Sequence, residues 1–155
     1  MHILIATDAQ WVLNEIQAVF GSSSTTIQVV TNGRLVSPAV AERTPDIAIL
    51  DMQVGSMGGM AITMDLRLDH SSGALPNVPI LMLLDREADV HMARRSGANG
   101  WIIKPLDALR LRKAVNAIVA GGCFAEGVPV PEAIIEEVVA SVDEAAEPAA
   151  ELLNQ

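Results

Sequence analysis

The 155-residue sequence has one cysteine, no tyrosine, two phenylalanines and two tryptophans. The single Cys123 excludes an internal disulfide and makes a reducing compartment the default. An aromatic content of 3% leaves little to stack on a flavin. No apolar stretch approaches the roughly 18 residues of a membrane span, and no basic segment precedes a signal-like run. Neither membrane insertion nor export is therefore expected, and the chain reads as cytoplasmic. Bases are missing from the end of the sequence: eight of the 19 acids and none of the ten bases lie from Glu126 onward. The first 125 residues are then close to neutral, with 11 acids to ten bases, within a net charge of −9. Affinity for a phosphate backbone comes from cations, so a direct nucleic-acid role is not expected. The three histidines, His2, His70 and His91, show no metal-ligand spacing and read as solvated or capping residues. Gly55-Ser56-Met57-Gly58-Gly59 lacks the Gly-Lys-Ser/Thr ending of a P-loop and reads as a turn.

What the sequence does have is apolar content: half of its residues, enough for one domain that buries roughly 68–70% of the surface of the unfolded chain. Five short runs rich in Ile, Val and Leu recur at 3–7, 27–31, 46–50, 78–84 and 100–103. They are apolar throughout rather than alternating, as strands covered on both faces require. Helical patterns separate them. Trp11, Ile16, Val19 and Phe20 mark a face of the first, and Leu35, Val36, Ala39 and Val40 suit a second, with Pro38 confined to its first turn. Residues 60–68 read as a third helix and 87–95 as a fourth, stopped by Gly97. Asp107 is a natural N-cap for a fifth, whose apolar face is Leu109, Val115, Ile118 and Val119 and which Gly121-Gly122 ends. Trp11 and the seven methionines read mainly as packing residues. Five alternations of strand and helix predict an α/β, doubly wound (βα)₅ domain with a five-stranded parallel sheet over residues 1–123. Pro129 and Pro131 then break the chain. Residues 124–155 form an acidic extension in which 131–142 carry a helical apolar stripe, Ile134, Val138 and Val142 with Ile135 and Val139 beside them, and Glu132, Glu136 and Glu137 opposite.

Three polar residues stand where such strands end: Asp8 after the first, Asp51 at the end of the third, and Lys104, followed by Pro105, after the fifth. In open α/β sheets the carboxyl ends of neighbouring strands meet at one crevice, so two carboxylates and an amine are expected there. That set can hold a divalent cation and a phosphoryl group.

With Pro45-Asp46 before the third strand, Gly59 eight residues beyond Asp51, Val78-Pro79-Ile80 opening the fourth strand and Gly97-Ala98-Asn99-Gly100-Trp101 leading to Lys104-Pro105, residues 2–122 resemble a response-regulator receiver domain, the flavodoxin-like module of two-component signalling. The resemblance implies that Asp51 is a phosphoacceptor. It also implies that Asp8, Asp51 and the backbone carbonyl of Gln53 hold Mg²⁺, with Asp85 as a further candidate carboxylate. Lys104 would neutralise phosphoryl oxygens, and a cis peptide would precede Pro105. Leu84 and Trp101 fall at the family's switch positions. The implied partners are a sensor histidine kinase or phosphotransfer protein and a downstream protein. A homodimer would form through the face of the fourth helix, fifth strand and fifth helix.

The sequence departs from the family at three points. Thr7 stands where a second acid is usual, Leu84 replaces the hydroxyl residue that ends the fourth strand, and Val54-Gly55 replaces Met-Pro. The leading expectation is a stand-alone receiver, not an enzyme, that signals by protein–protein contact. The alternative is a phosphorylation-independent pseudo-receiver that serves as a binding or dimerisation module. A flavodoxin-like enzyme or cofactor carrier is disfavoured, because Asp8-Ala9-Gln10-Trp11 is not a hydroxyl-rich phosphate loop.

Overall fold

A computed structural model describes residues 1–127. Strands β1 (His2–Ala6), β2 (Thr26–Val30), β3 (Ile47–Asp51), β4 (Ile80–Leu84) and β5 (Gly100–Ile103) alternate with helices α1 (Gln10–Phe20), α2 (Val36–Glu42), α3 (Gly59–Ser71), α4 (Val90–Ser96) and α5 (Ala108–Val119). All strand pairs are parallel, in the order β2-β1-β3-β4-β5. The expected doubly wound fold is present. The sheet is also one strand wider than expected: β6 (Phe124–Ala125) adds to the free edge of β5, pairing Gly100 with Phe124 and Trp101 with Ala125. This strand comes directly after the expected end of the domain at residue 123. The amphipathic 131–142 segment and the rest of the acidic extension lie outside the described residues.

In β1, β3, β4 and β5 the continuous apolar runs are explained by burial on both faces, whereas the edge strand β2 is partly exposed, with Val29 at the surface. Ile3, Ile5, Ile47, Ile49, Leu81, Leu83 and Ile102 point to one side and pack with Val12, Ile16 and Phe20 of α1 and with Leu111, Val115 and Ile118 of α5. Leu4, Ala6, Ala48, Leu50 and Ile80 point to the other and meet Val36 and Val40 of α2 and Ile62 and Leu66 of α3. Met82, Leu84 and Trp101 continue that second layer beneath Ala93 of α4. Each fully buried Ile or Leu contributes on the order of 1.5–3 kcal/mol, so the central strands anchor the domain.

Local signals set the helix ends. Asp107 caps α5 by accepting from the Arg110 backbone N–H at 2.9 Å. Gly97, at φ 89°, ends α4 in the left-handed region that a side chain disfavours. Pro38 is tolerated in the first turn of α2. The fourth helical pattern divides into a 3₁₀ turn at Glu87–Asp89 and then α4. Among the described residues no helix is long and apolar enough to cross a membrane.

Several single-residue expectations are corrected. The buried face of α1 is Val12, Ile16 and Phe20, spaced by four, whereas Trp11 is 49% exposed. His2 is buried rather than solvated, because it opens β1 and its backbone N–H donates to Asp46 Oδ2. Met82 is core, but Met64 and Met92 are 52% and 43% exposed, on α3 and α4.

Candidate functional site

β1 and β3 are neighbours in the sheet while α1 and α3 leave on opposite faces, so a crevice opens above their carboxyl ends. Asp51 is the last residue of β3, paired with Leu83 on β4, and it is only 1% exposed. Lys104 comes just after β5 and reaches back across β4. Its Nζ donates to Asp51 Oδ1 at 2.7 Å and to Asp85 Oδ1 at 3.0 Å. Asp85, just past β4, thus meets the site through the amine. Burial pulls the Lys104 pKa down, but hydrogen bonds and charges from Asp51 and Asp85 outweigh it and hold it above the ordinary lysine value. The Lys104–Pro105 peptide is cis.

The carboxylate of Asp51 is satisfied on both oxygens, as a buried anion must be. Oδ1 also accepts from the Gln53 backbone N–H at 3.2 Å, and Oδ2 accepts from the Thr7 hydroxyl at 2.8 Å. Thr7 Oγ1 accepts in turn from the Ala9 backbone N–H, which aims the hydroxyl proton at Asp51. The residue at the position of the missing acid therefore acts as a donor to the central carboxylate. Sequence alone does not reveal this bond, because the lack of an acid carries no sign of where a hydroxyl points.

Asp8 lies on the exposed rim of the crevice, beside the loop after β3. A Cβ placed on Gly55 would lie 3.2 Å from Asp8 Oδ2, so the glycine leaves space around that carboxylate. Gly59 fixes the far end of the loop, since a Cβ there would lie 2.7 Å from the Asp51 carbonyl oxygen. A methyl group is excluded where α3 starts against the end of β3. Carboxylate oxygens such as those of Asp51 and Asp8 are donors that suit a hard divalent cation. Among the described residues no cluster of three or more His, Cys, Asp or Glu side chains is placed to hold a metal by itself.

Two further residues belong to this end of the molecule. The Trp11 ring stands over the Lys104 ammonium, 5.6 Å from centroid to nitrogen, within cation–π range. Its sequence signal is a large aromatic three residues after Asp8, at the first turn of α1. On the other side, Leu84 is fully buried at the end of β4 in a cluster with Met82, Ala93 and Trp101. Trp101 is 6% exposed, and its indole N–H donates to the Glu126 carbonyl. The Arg94 guanidinium lies over the same ring.

Glu126, the first acid of the C-terminal acidic extension, is tied down. Its carboxylate accepts from Arg110 Nε and Nη2 and from the Ile103 backbone N–H. Burial would raise the Glu126 pKa, but Arg110 and the Ile103 N–H prevail and hold it below the usual carboxylate value. Arg110 also donates to the Ile103 and Pro105 carbonyls, so one guanidinium gathers the end of β5, the start of α5 and the chain beyond α5.

Comparison with known proteins agrees with the fold. The family model of the response regulator receiver domain matches residues 3–116. The protein PilH of Pseudomonas aeruginosa is 28% identical over 120 residues, which cover 77% of this chain and 98% of PilH. The regulatory protein LuxO of Vibrio vulnificus is 32% identical over 95 residues, 58% of this chain but only 19% of LuxO. The chain thus spans nearly all of one relative and about a fifth of the other. Among solved structures, the receiver domain of a Pseudomonas aeruginosa sensor histidine kinase, with a magnesium ion coordinated in its active-site cleft, superposes with a TM-score of 0.67 at 19% identity. That match covers 77% of this chain and 97% of that domain.

Proposed function

This chain belongs to the response regulator receiver domain family of two-component signalling, and on that premise we propose that it is a stand-alone receiver that accepts a phosphoryl group on Asp51. The observation that carries the reading is the Asp51–Lys104 contact of 2.7 Å, formed by residues 53 positions apart at the carboxyl ends of β3 and β5. An Asp51 oxygen attacks phosphorus, the bond from phosphorus to the donor's imidazole nitrogen or leaving oxygen breaks, and an aspartyl phosphate remains. Attack needs a free lone pair on that oxygen. Oδ2 accepts from the neutral Thr7 hydroxyl and keeps one, whereas Oδ1 accepts from both the Lys104 ammonium and the Gln53 N–H. Lys104 then neutralises the transferred oxygens while Asp85 keeps the amine in place.

Asp8, Asp51 and the Gln53 carbonyl would hold Mg²⁺. When bound, the ion screens charge between carboxylate and phosphoryl oxygens. Thr7 supplies no anion to this set, which weakens the site: each 1.4 kcal/mol lost lowers affinity about tenfold. The phosphoryl donor is a sensor histidine kinase or a phosphotransfer protein. The output is protein–protein contact, with a downstream partner or a second copy, at the face of α4, β5 and α5, which here includes the β6 strap. The module accepts one group per cycle and turns over no separate substrate.

Incubation with acetyl phosphate and Mg²⁺, read by intact mass, tests the proposal. The parent is expected to gain one phosphoryl group and Asp51→Asn none. The same lack of labelling in both would overturn it.

A further inference from the structure

Helix α3 lies between α2 and α4 on one face of the sheet. Between α3 and α4 runs an open groove of about 650 Å³, lined by Met57, Ala61, Met64, Leu68 and Arg95. It continues into a hollow of about 260 Å³ at Met60, His91 and Met92, which Met64 and Arg95 also line. Met64, Leu68 and Met92 are 52%, 66% and 43% exposed, so apolar side chains of both helices meet at the surface. Methionine and arginine are residue types that protein–protein contacts favour over ordinary surface. The unbranched thioether of methionine also adapts to whatever packs on it.

The flanks of this face carry opposite charge. Asp65 accepts from the Ser37 hydroxyl of α2 at 3.0 Å, which places it on the α2 side of α3, and Asp69 follows one turn later on the same side. Arg94 lies over Trp101 of β5 and so marks the far side of α4, with Arg95 beside it at the groove. Asp65, Asp69, Arg94 and Arg95 belong to none of the ion pairs among the described residues. Across the face the order is therefore acid, apolar, apolar, base. A two-fold axis along the groove reverses that order in a facing copy and sets α3 of each copy against α4 of the other. An axis across the groove would instead set like charges together. Rotation about the axis along the groove also preserves height along the helices. Asp65 and Arg95 line the same hollow, so they share a level and meet across such an interface.

We infer that the α3–α4 face binds a second copy of this chain in an isologous dimer. Met64, Leu68 and Met92 of both copies form its centre, and Asp65 and Asp69 of each copy face Arg94 and Arg95 of the other. Charge selects the occupant, because the acids of one copy meet the arginines of the next without help from a different partner. Each contact forms twice, so any change on the face counts twice in the dimer. None of these residues takes part in the Asp51 site, so the association stands or falls separately from phosphoryl acceptance there. The face is also distinct from that of α4, β5 and α5, with which it shares only α4.

Sedimentation velocity of the full chain over a concentration series, without Mg²⁺ or phosphoryl donor, is expected to show a monomer–dimer equilibrium. Arg94→Glu/Arg95→Glu and, separately, Asp65→Lys/Asp69→Lys are each expected to weaken it by about tenfold or more, since the rim pairs turn repulsive. An equimolar mixture of the two variants is expected to restore it as a heterodimer, because opposite charges again face each other. Far-UV circular dichroism with a cooperative thermal transition reports that each variant is folded. Leu68→Glu, at a site 66% exposed, leaves Asp65 and its Ser37 bond in place and is expected to be monomeric. A parent that stays monomeric at every concentration, a dimer undiminished by Leu68→Glu or by either charge reversal, or folded variants that do not associate on mixing would each overturn the inference.

Discussion

Replacing Thr7 with aspartate probes the acidic end of the site most directly. Thr7 Oγ1 lies 2.8 Å from Asp51 Oδ2, and both residues are almost fully buried. Thr7→Asp exchanges a donor for an anion. The lost hydrogen bond is worth about 1 kcal/mol, and two carboxylates about 4 Å apart repel by up to about 4 kcal/mol at an effective dielectric near 20. The Lys104 ammonium at 2.7 Å from Asp51 offsets part of this, and the crevice opens to solvent at Asp8. A net loss of about 2–3 kcal/mol remains, which lowers Tm by roughly 6–12 °C for a domain of this size. Mg²⁺ should reverse the sign, because the added carboxylate that repels Asp51 also becomes a ligand. At a free Mg²⁺ concentration 100 times Kd the bound state gains about 2.7 kcal/mol, enough to cancel the loss. Thermal unfolding monitored by circular dichroism, with and without MgCl₂, reads both effects, and Trp11 fluorescence reports binding beside Lys104. The variant should be the less stable protein without metal and should respond to Mg²⁺ at lower concentration than the parent. A variant with unchanged Tm and no Mg²⁺ response would refute the convergence of position 7, Asp8 and Asp51. Equal Mg²⁺ shifts in both proteins would refute the view that position 7 limits metal affinity.

Lys104→Met leaves the Asp51 carboxylate with only the Gln53 N–H and Thr7 hydroxyl. Breaking a buried pair costs about 3–5 kcal/mol, and since Asp85 at the same amine is 35% exposed, a loss of about 2–3 kcal/mol in urea unfolding is expected after allowing for screening. The raised Lys104 pKa adds a pH signature. Its contribution is complete below the ordinary lysine value near 10.4 and disappears as pH rises through the higher folded value. The parent should therefore lose stability above about pH 10.4 more steeply than Lys104→Met, and parallel alkaline limbs would contradict this. Glu126→Gln weakens the Arg110 fork and the Ile103 contact, a loss of about 1–2 kcal/mol for a partly exposed charged hydrogen bond. The depressed Glu126 pKa contributes stability above the ordinary value near 4.3 that is lost as pH falls through the folded value, so parent and variant should converge in Tm in acid. A difference in Tm that persists in acid would assign the effect to packing rather than charge.

The strands were readable because β1, β3 and β4 are buried on both faces, and a continuous apolar run is the direct imprint of that burial. Asp51 and Lys104 were readable for a related reason: a charged residue that ends such a run must emerge at the carboxyl edge of the sheet. Helix faces were less legible. Trp11 and Ile16 are five apart and read as one face, whereas the spacing by four of Val12, Ile16 and Phe20 sets the buried stripe and sends Trp11 to the crevice. Thr7 registers in sequence only as a missing charge, since the bond to Asp51 depends on a hydroxyl oriented by the Ala9 N–H. Glu126 could not be separated from the other acids of the extension, because its partner Arg110 lies 16 positions away. β6 was hidden by its length, since two residues have no periodicity.

These unread contacts bear on how a change at Asp51 can reach the surface. Leu84 has no hydroxyl to track a phosphoryl group, and the Trp101 indole N–H is already engaged by the Glu126 carbonyl. Lys104, however, is bonded through the chain to Ile103, and both backbone polar groups of Ile103 are held by the Arg110–Glu126 pair: its N–H donates to Glu126 and its carbonyl accepts from Arg110. Lys104 is in turn hydrogen-bonded through its backbone N–H to the Leu84 carbonyl at 2.8 Å, which fixes it to β4. Contacts thus run from the Lys104 ammonium at Asp51 along β5 to the residues that hold Glu126. Thr7, Leu84 and the strap at 124–127 together describe one arrangement: a buried carboxylate held by a neutral donor and an ammonium, no hydroxyl at the end of β4, and a strand β5 whose edge is tied to Glu126.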